Sequence, residues 1–231
     1  MSGKPSRRDL LVGAAKSAGV VCIGAVALDQ FVLQAKANAA KALRPPGAIA
    51  EEDFLSACVR CGQCVRACPY DTLRLATWGD STALGTPYFV ARETPCYMCE
   101  DVPCARACPT GALRSDIPSI RDADMGVAVL VDHETCLNYK GMHCGICYRV
   151  CPIREEAITL EKQTINGRPM QIPVVHSDKC TGCGTCEKMC VLEEAAIRVL
   201  PRPLGLGKAG RNQAGRPLTG HGVLRRETSK L

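Results

Sequence analysis

Sixteen of the seventeen cysteines in this 231-residue chain fall into four groups of four. Residues 58–70, CVRCGQCVRACPY, show the pattern. The first group is Cys58, Cys61, Cys64 and Cys68, followed by Pro69; the second is Cys96, Cys99, Cys104 and Cys108, followed by Pro109. The third is Cys136, Cys144, Cys147 and Cys151, followed by Pro152; the fourth is Cys180, Cys183, Cys186 and Cys190, followed by Val191. No other feature constrains the fold as strongly, because little else is available to build a core. Nine residues are aromatic, against thirty-six glycines and prolines. Such a chain needs staples besides apolar packing, and disulfides or metal sites are the usual ones.

Groups one and four read C-x2-C-x2-C-x3-C, the spacing that binds [4Fe–4S] clusters in bacterial ferredoxins. A cubane offers four irons at tetrahedral corners. Three cysteines spaced by two residues let one tight loop cover three corners, and Gly62, Gly182 and Gly184 suit the close backbone approach this requires. The fourth cysteine lies one helical turn further on and points away, toward a partner cluster. Group two lengthens one gap to four residues and group three lengthens one to seven; both keep C-x3-C-P. Structural zinc favours two C-x2-C knuckles far apart in sequence, not three thiols on one loop. A disulfide scaffold leaves the four-fold repetition unexplained, and core cysteines would not be periodic. The sixteen quartet cysteines are therefore expected to ligate four [4Fe–4S] clusters.

Each quartet is followed by a short apolar piece: Leu73-Arg74-Leu75, Ala112-Leu113, Ile158-Thr159-Leu160 and Ile197-Arg198-Val199. Three are preceded by strand-like runs, Tyr88–Val90, Val127–Val131 and Ile172–Val175. The repeating unit is strand, cysteine loop, short helix, strand. One unit cannot cover a cluster alone, so units pair. The expected fold is α+β, two ferredoxin-like 2[4Fe–4S] modules, with motifs at about 54–80, 88–115, 127–162 and 172–200 inside a core of 40–200. Sequential pairing, one with two and three with four, fits matched offsets from the last cysteine to the next apolar residue. Nested pairing, one with four and two with three, fits the regular motifs being outermost.

The net charge of +6 does not mark a nucleic-acid-binding protein, because it sits at the ends. Residues 201–231 carry seven Lys/Arg and one acidic residue, residues 1–39 carry five and two, and residues 40–200 carry seventeen and twenty. Residues 1–39 have the order of a twin-arginine export signal: Arg7-Arg8 before Leu10-Leu11, the apolar run SAGVVCIGAVAL, then Ala35-Lys36-Ala37 and Ala37-Asn38-Ala39. Cys22 lies inside that run, apart from the quartets. Residues 201–231 read as a basic, flexible Gly/Pro-rich tail, able to offset the anionic cluster-bearing core at a membrane surface. Gly205-Leu206-Gly207-Lys208-Ala209-Gly210 satisfies G-x-G-x-x-G, but Pro201 and Pro203 precede it and no βαβ unit surrounds it, so a dinucleotide site is rejected. His133, His143, His176 and His221 are expected to be solvated surface residues, since every quartet is already complete.

The stretches LRPPGAI (43–49), ACVRCGQCVRACPYDTLRLAT (57–77), GTPYFVAR (85–92), CEDVPCARACPTGAL (99–113) and VHSDKCTGCGTCEKMCVLEEAAI (175–197) resemble the NapG/MauM family of ferredoxin-type proteins. The resemblance covers residues 43–200 and extends to the leader; the tail has no match. It implies an electron-transfer protein rather than an enzyme, carrying four [4Fe–4S] clusters at the outer face of the cytoplasmic membrane in the periplasm. Its implied partners are the twin-arginine translocase, a membrane quinol-oxidising iron–sulfur protein of the NapH type, and periplasmic cytochromes leading to nitrate reductase. The MauM side of the family implies an alternative, a redox maturation factor for cofactor assembly in methylamine dehydrogenase. The quartets also resemble the electron-transfer subunits of many molybdenum oxidoreductases, whose motifs pair in nested order. Nested pairing is thus the expectation: Cys58, Cys61 and Cys64 with Cys190; Cys180, Cys183 and Cys186 with Cys68; Cys96, Cys99 and Cys104 with Cys151; Cys136, Cys144 and Cys147 with Cys108.

Overall fold

Two successive halves of the chain each close on themselves through an outer strand pair and an inner hairpin. The computed structural model describes residue 24 and residues 42–80, 82–165 and 167–207. Apart from residue 24, the expected leader lies outside these residues, and so does the expected tail beyond Gly207.

The first half begins with the helix α1 (Glu51–Ala57), whose first turn carries Glu51, Glu52 and Asp53 where the helix dipole favours negative charge. The helix α2 (Gln63–Ala67), the strands β1 (Arg74–Leu75) and β2 (Pro87–Tyr88), and the helix α3 (Pro103–Arg106) follow. β1 and β2 pair antiparallel, with Leu75 opposite Pro87. The outer closure is an antiparallel bridge between Ala48 and Leu113, flanked by the backbone bonds Ile49 N–H to Ala112 O and Arg114 N–H to Gly47 O.

The second half repeats this plan with longer strands. β3 (Val127–Leu130) pairs antiparallel with β6 (Ile197–Leu200), and between them stand the helix α4 (Ile146–Arg149), the hairpin of β4 (Ile158–Ile165) and β5 (Arg168–Val175), and the helix α5 (Thr185–Lys188). The hairpin runs through eight paired positions. In sequence its tip is Asn166-Gly167, a favoured two-residue hairpin loop. A last short helix, α6 (Arg202–Gly205), packs on β3, where a Cβ on Gly205 would fall 2.3 Å from Val127 Cγ1. The first residues of the expected flexible tail are therefore part of the folded body, and Gly205 of the G-x-G-x-x-G string serves packing.

Helices of four to seven residues are too short to persist alone in water, so contacts elsewhere must hold them. One apolar cluster runs through both halves, with Phe54, Phe89, Leu113, Ile120, Leu130, Ile158, Val175 and Ile197 at its centre. Arg44 is buried with it. Its guanidinium lies 4.7 Å from the Phe54 ring and bonds Glu51, Thr82, Thr86 and the Pro87 carbonyl, tying the entering chain to α1 and β2. Among the described residues no helix is long and apolar enough to cross a membrane.

Candidate metal centres

Within each quartet the chain turns twice, and left-handed backbone residues make the turns. Gly62, Val102, Gly145 and Gly184 precede the helices that carry the third cysteines, and all four have left-handed geometry. Arg60, Met98 and Gly182 do the same just before the second cysteines of groups one, two and four. Gly62, Gly182 and Gly184 were legible from the sequence; Gly145, Arg60, Met98 and Val102 were not. An L-residue is disfavoured in that conformation, so the loop geometry imposes it.

The two enlarged gaps fold differently. In group two, Val102 turns the chain and Pro103 starts α3, where its missing N–H costs nothing. In group three, Asn138 organises the insertion. Its side chain, almost fully buried, donates to Gln171 O at 2.6 Å and accepts from Cys144 N at 2.9 Å and Gly145 N at 3.2 Å. Lys140 N–H to Cys136 O and Met142 N–H to Leu137 O complete the turn.

The quartets meet around four small cavities. Site 1 is lined by Cys58, Cys61, Cys64 and Cys108. Site 2 is lined by Cys96, Cys99, Cys104 and Cys68. Site 3 is lined by Cys136, Cys144, Cys147 and Cys190. Site 4 is lined by Cys180, Cys183, Cys186 and Cys151, with Cys147 in its wall. Each site thus takes three thiols from one quartet and the fourth from its partner, as the spacing implied. The nested pairing, however, is overturned: group one exchanges with group two, and group three with group four. The physical reason lies in the outer strands. Ala48 pairs with Leu113 and β3 with β6, so each half closes on itself before the next begins.

No disulfide joins any of the described cysteines. Burial pushes Cys96, Cys104 and Cys147 up to about 12, and Cys64 and Cys151 up to about 11, with neighbouring cysteines of the sites adding to the rise. Cys186 is half-buried as a residue, yet burial of the thiol raises it well above its ordinary value. Cys108 is lowered: burial opposes this, but N–H groups of Leu113, Thr110 and Gly111 and the Thr110 hydroxyl outweigh it. Among the described residues no group of three or more His, Cys, Asp or Glu is placed to hold a single metal ion. Four thiols set around a void, close enough to perturb one another but not gathered on one point, fit a polynuclear cluster and not structural zinc.

Arginines fasten several cysteine loops by their carbonyls. Arg149 donates to Cys144 O at 2.6 Å, and Arg202 to Cys180 O at 2.9 Å and Ser177 O at 2.5 Å while pairing with Asp124. The histidine expectation holds for His143, which is exposed. It is corrected for His133, half-buried and stacked on Tyr139, and for His176, half-buried and bonded to Thr159 at 2.9 Å. His221 lies outside the described residues.

The chain matches the 4Fe-4S dicluster domain family twice, over residues 57–112 and 140–193. The first span holds the first two quartets, and the second holds the last two apart from Cys136, matching the sequential pairs that the cavities define. The methylamine utilization ferredoxin-type protein MauM of Methylorubrum extorquens is 73% identical over 212 residues, 92% of this chain and 96% of that protein. MauM of Paracoccus denitrificans is 68% identical over 92% of this chain and 95% of its own length. The ferredoxin-type protein NapG of Escherichia coli is 56% identical over 90% of this chain and 92% of its own. No solved structure matches the chain. With two dicluster domains and four thiol-lined sites, the chain carries four [4Fe–4S] clusters.

Proposed function

The chain belongs to the NapG/MauM family of ferredoxin-type proteins, and from that premise we propose that it is an electron carrier with no catalytic site of its own. The sixteen quartet cysteines are the iron ligands, three plus one at each of the four sites, on two α+β ferredoxin-like modules. A [4Fe–4S] cluster, when bound, supplies one-electron transfer at a potential tuned by hydrogen bonds and solvent around its sulfurs. The chain contributes the enclosure. The apolar core keeps most of each site dry, the left-handed turns aim three thiols inward, and the exchanged fourth cysteine sets the two sites of a module side by side. That exchange carries the reading, because it makes each module a pair of adjacent redox sites.

The twin-arginine order of the first 39 residues supports export of the folded, loaded protein to the periplasm, where it works at the outer face of the membrane. Its donor is a membrane quinol-oxidising iron–sulfur protein. For the acceptor there are two settings, periplasmic cytochromes leading to nitrate reductase, or an enzyme whose cofactor is being assembled, as in methylamine utilization. The higher identity to the MauM proteins favours the second.

A deletion strain tests both. Loss of growth on methylamine with an enzyme that is present but lacks its finished cofactor supports maturation. Loss of quinol-dependent nitrate reduction with an active reductase supports the respiratory setting. A strain normal in both would sink the electron-carrier reading. Anaerobic purification of the holo-protein from membranes, with identification of what copurifies, names the donor.

A further inference from the structure

Arg92 belongs to neither cysteine set nor strand, yet it is among the most heavily bonded side chains in the molecule. It stands four residues before Cys96, in the first half. Its guanidinium crosses to the second half, where Nη1 donates to the carbonyls of Glu187 at 2.6 Å, Lys188 at 3.2 Å and Cys190 at 2.9 Å. Nη2 donates to the carbonyls of Leu192 at 2.5 Å and Glu193 at 3.1 Å. These are carbonyls at the end of α5 and in the turn after it, where a helix runs short of its own N–H donors; the Glu187 carbonyl also accepts from Cys190 N–H.

The same contact brings two cysteine loops together. Cys96 N–H donates to Cys183 O at 2.8 Å. The Thr181 hydroxyl lies 3.7 Å from Met98 Sδ. Glycine is required here by close approach: a Cβ on Gly184 would fall 2.6 Å from Ala91 Cβ. Site 2 and site 4 therefore abut across the module boundary. Site 1 adjoins site 2 through Cys68 and Cys108, and site 3 adjoins site 4 through Cys147 and Cys151.

We propose that Arg92 is the positioning residue of this junction, holding site 2 against site 4 so that the four sites form one unbranched series: site 1, site 2, site 4, site 3. The proposal rests on the electron-carrier reading. The step it serves is balanced: one electron crosses the junction, one side is oxidised by one electron as the other is reduced by one, and no bond or proton changes place. One-electron protein partners at the two ends of the series supply and remove that electron. An arginine suits the task because its planar fork offers five N–H donors in fixed directions, whereas lysine offers three on a flexible stem.

The test uses full-length holo-protein purified without oxygen, with Arg92→Gln, Arg92→Lys and, as a control, Arg74→Gln, whose partner Glu93 lies within the first half. Three quantities are measured: iron per chain, exchange of the Cys96 amide with solvent deuterium, and magnetic interaction between sites in the dithionite-reduced protein. Arg92→Gln should keep about sixteen iron. Its Cys96 amide should exchange at least about tenfold faster, and the part of the spin–spin broadening that arises between modules should disappear. Arg92→Lys should fall between, and Arg74→Gln should match the unaltered protein. Unchanged exchange and broadening in Arg92→Gln would overturn the proposal. So would a fall to about eight iron in both Arg92 variants, which would make the residue a folding element of the second module. None of these readouts depends on a physiological donor or acceptor, so the junction and the electron-carrier reading fail separately.

Discussion

The first module has an inner hairpin of two paired positions, while the second has one of eight. The first compensates at its edge, with α1 and the buried Arg44 network closing over Phe54. The second is clamped from outside its sites, by Arg149 on Cys144 O, Arg202 on Cys180 O and Arg92 on Cys190 O. Exposure differs as well. Cys61 of site 1 is exposed and Val59 beside it is 62% exposed, whereas Cys147, shared by the walls of sites 3 and 4, is buried. The same ligand spacing is thus held by two kinds of support. The first module relies on an anchored rim and leaves a site near solvent, and the second on a long hairpin and backbone clamps around enclosed sites.

The largest effects should come from the cysteines. Cys147→Ser places a hydroxyl where burial already holds a thiol far above its ordinary range, in a wall common to two sites. Iron should fall from about sixteen to twelve or fewer, and the second module should lose its protection against proteolysis. Cys61→Ser, at an exposed position, should cost less iron, because an oxygen ligand there is open to solvent. Metal analysis of both variants decides the matter, and equal losses would break the contrast between enclosed and open sites.

Removing the anchored rim comes next. Arg44→Met strips the partner from Glu51 and leaves the Pro87 carbonyl and the Thr86 hydroxyl short of a donor. Breaking a largely buried ion pair from one side costs about 3–5 kcal/mol, at the lower end here because Glu51 is partly exposed. Heating the holo-protein should bleach sites 1 and 2 well before sites 3 and 4. Simultaneous bleaching would mean that the modules do not differ in their support.

Asn138→Ala is the matching change in the second module and should be milder. It leaves Cys144 N, Gly145 N and Gln171 O unsatisfied, at about 1–3 kcal/mol in all once the loop relaxes and water enters. Site 3 should become the first to bleach, with sites 1 and 2 unmoved. Equal loss at site 2 would show that the insertions are not local devices.

These supports mark the limit of what could be read from the chain. The quartets and the apolar pieces beside them were legible because ligand spacing and strand alternation are local. The exchange of the fourth cysteine was legible too, from the ferredoxin ligand spacing itself. Which groups exchange was not, because Ala48 with Leu113 and Val127 with Leu200 are pairings across 65 and 73 positions that leave no periodic trace. The equal offsets within the first two and the last two quartets were the signal that pointed the right way. Arg92 and Asn138 were missed because their partners are backbone carbonyls and amides, and Arg44 because, Glu51 apart, its partners lie about forty positions away; an arginine or asparagine elsewhere in the chain gives no pattern for either.

The smallest effect concerns the turns. Arg60 and Gly182 occupy the same place, just before the second cysteine of a regular quartet, and both are left-handed, at φ 58° and 74°. Glycine takes that conformation freely, while an L-residue is penalised by roughly 1–2 kcal/mol. Arg60→Gly should relieve that strain. Against this stands the extra freedom glycine gives the unfolded chain, about 0.5–1 kcal/mol, and the loss of packing between the Arg60 stem and Gly85. The terms nearly cancel, leaving a gain of at most about 1 kcal/mol, all of it in the first module. The expected result is a bleaching temperature for site 1 raised by a few degrees or fewer, roughly what that energy supports in a small domain, with the iron content unchanged. A clear fall would mean that the Arg60 side chain itself supports the loop, and that the first module, like the second, fastens its cysteines with an arginine.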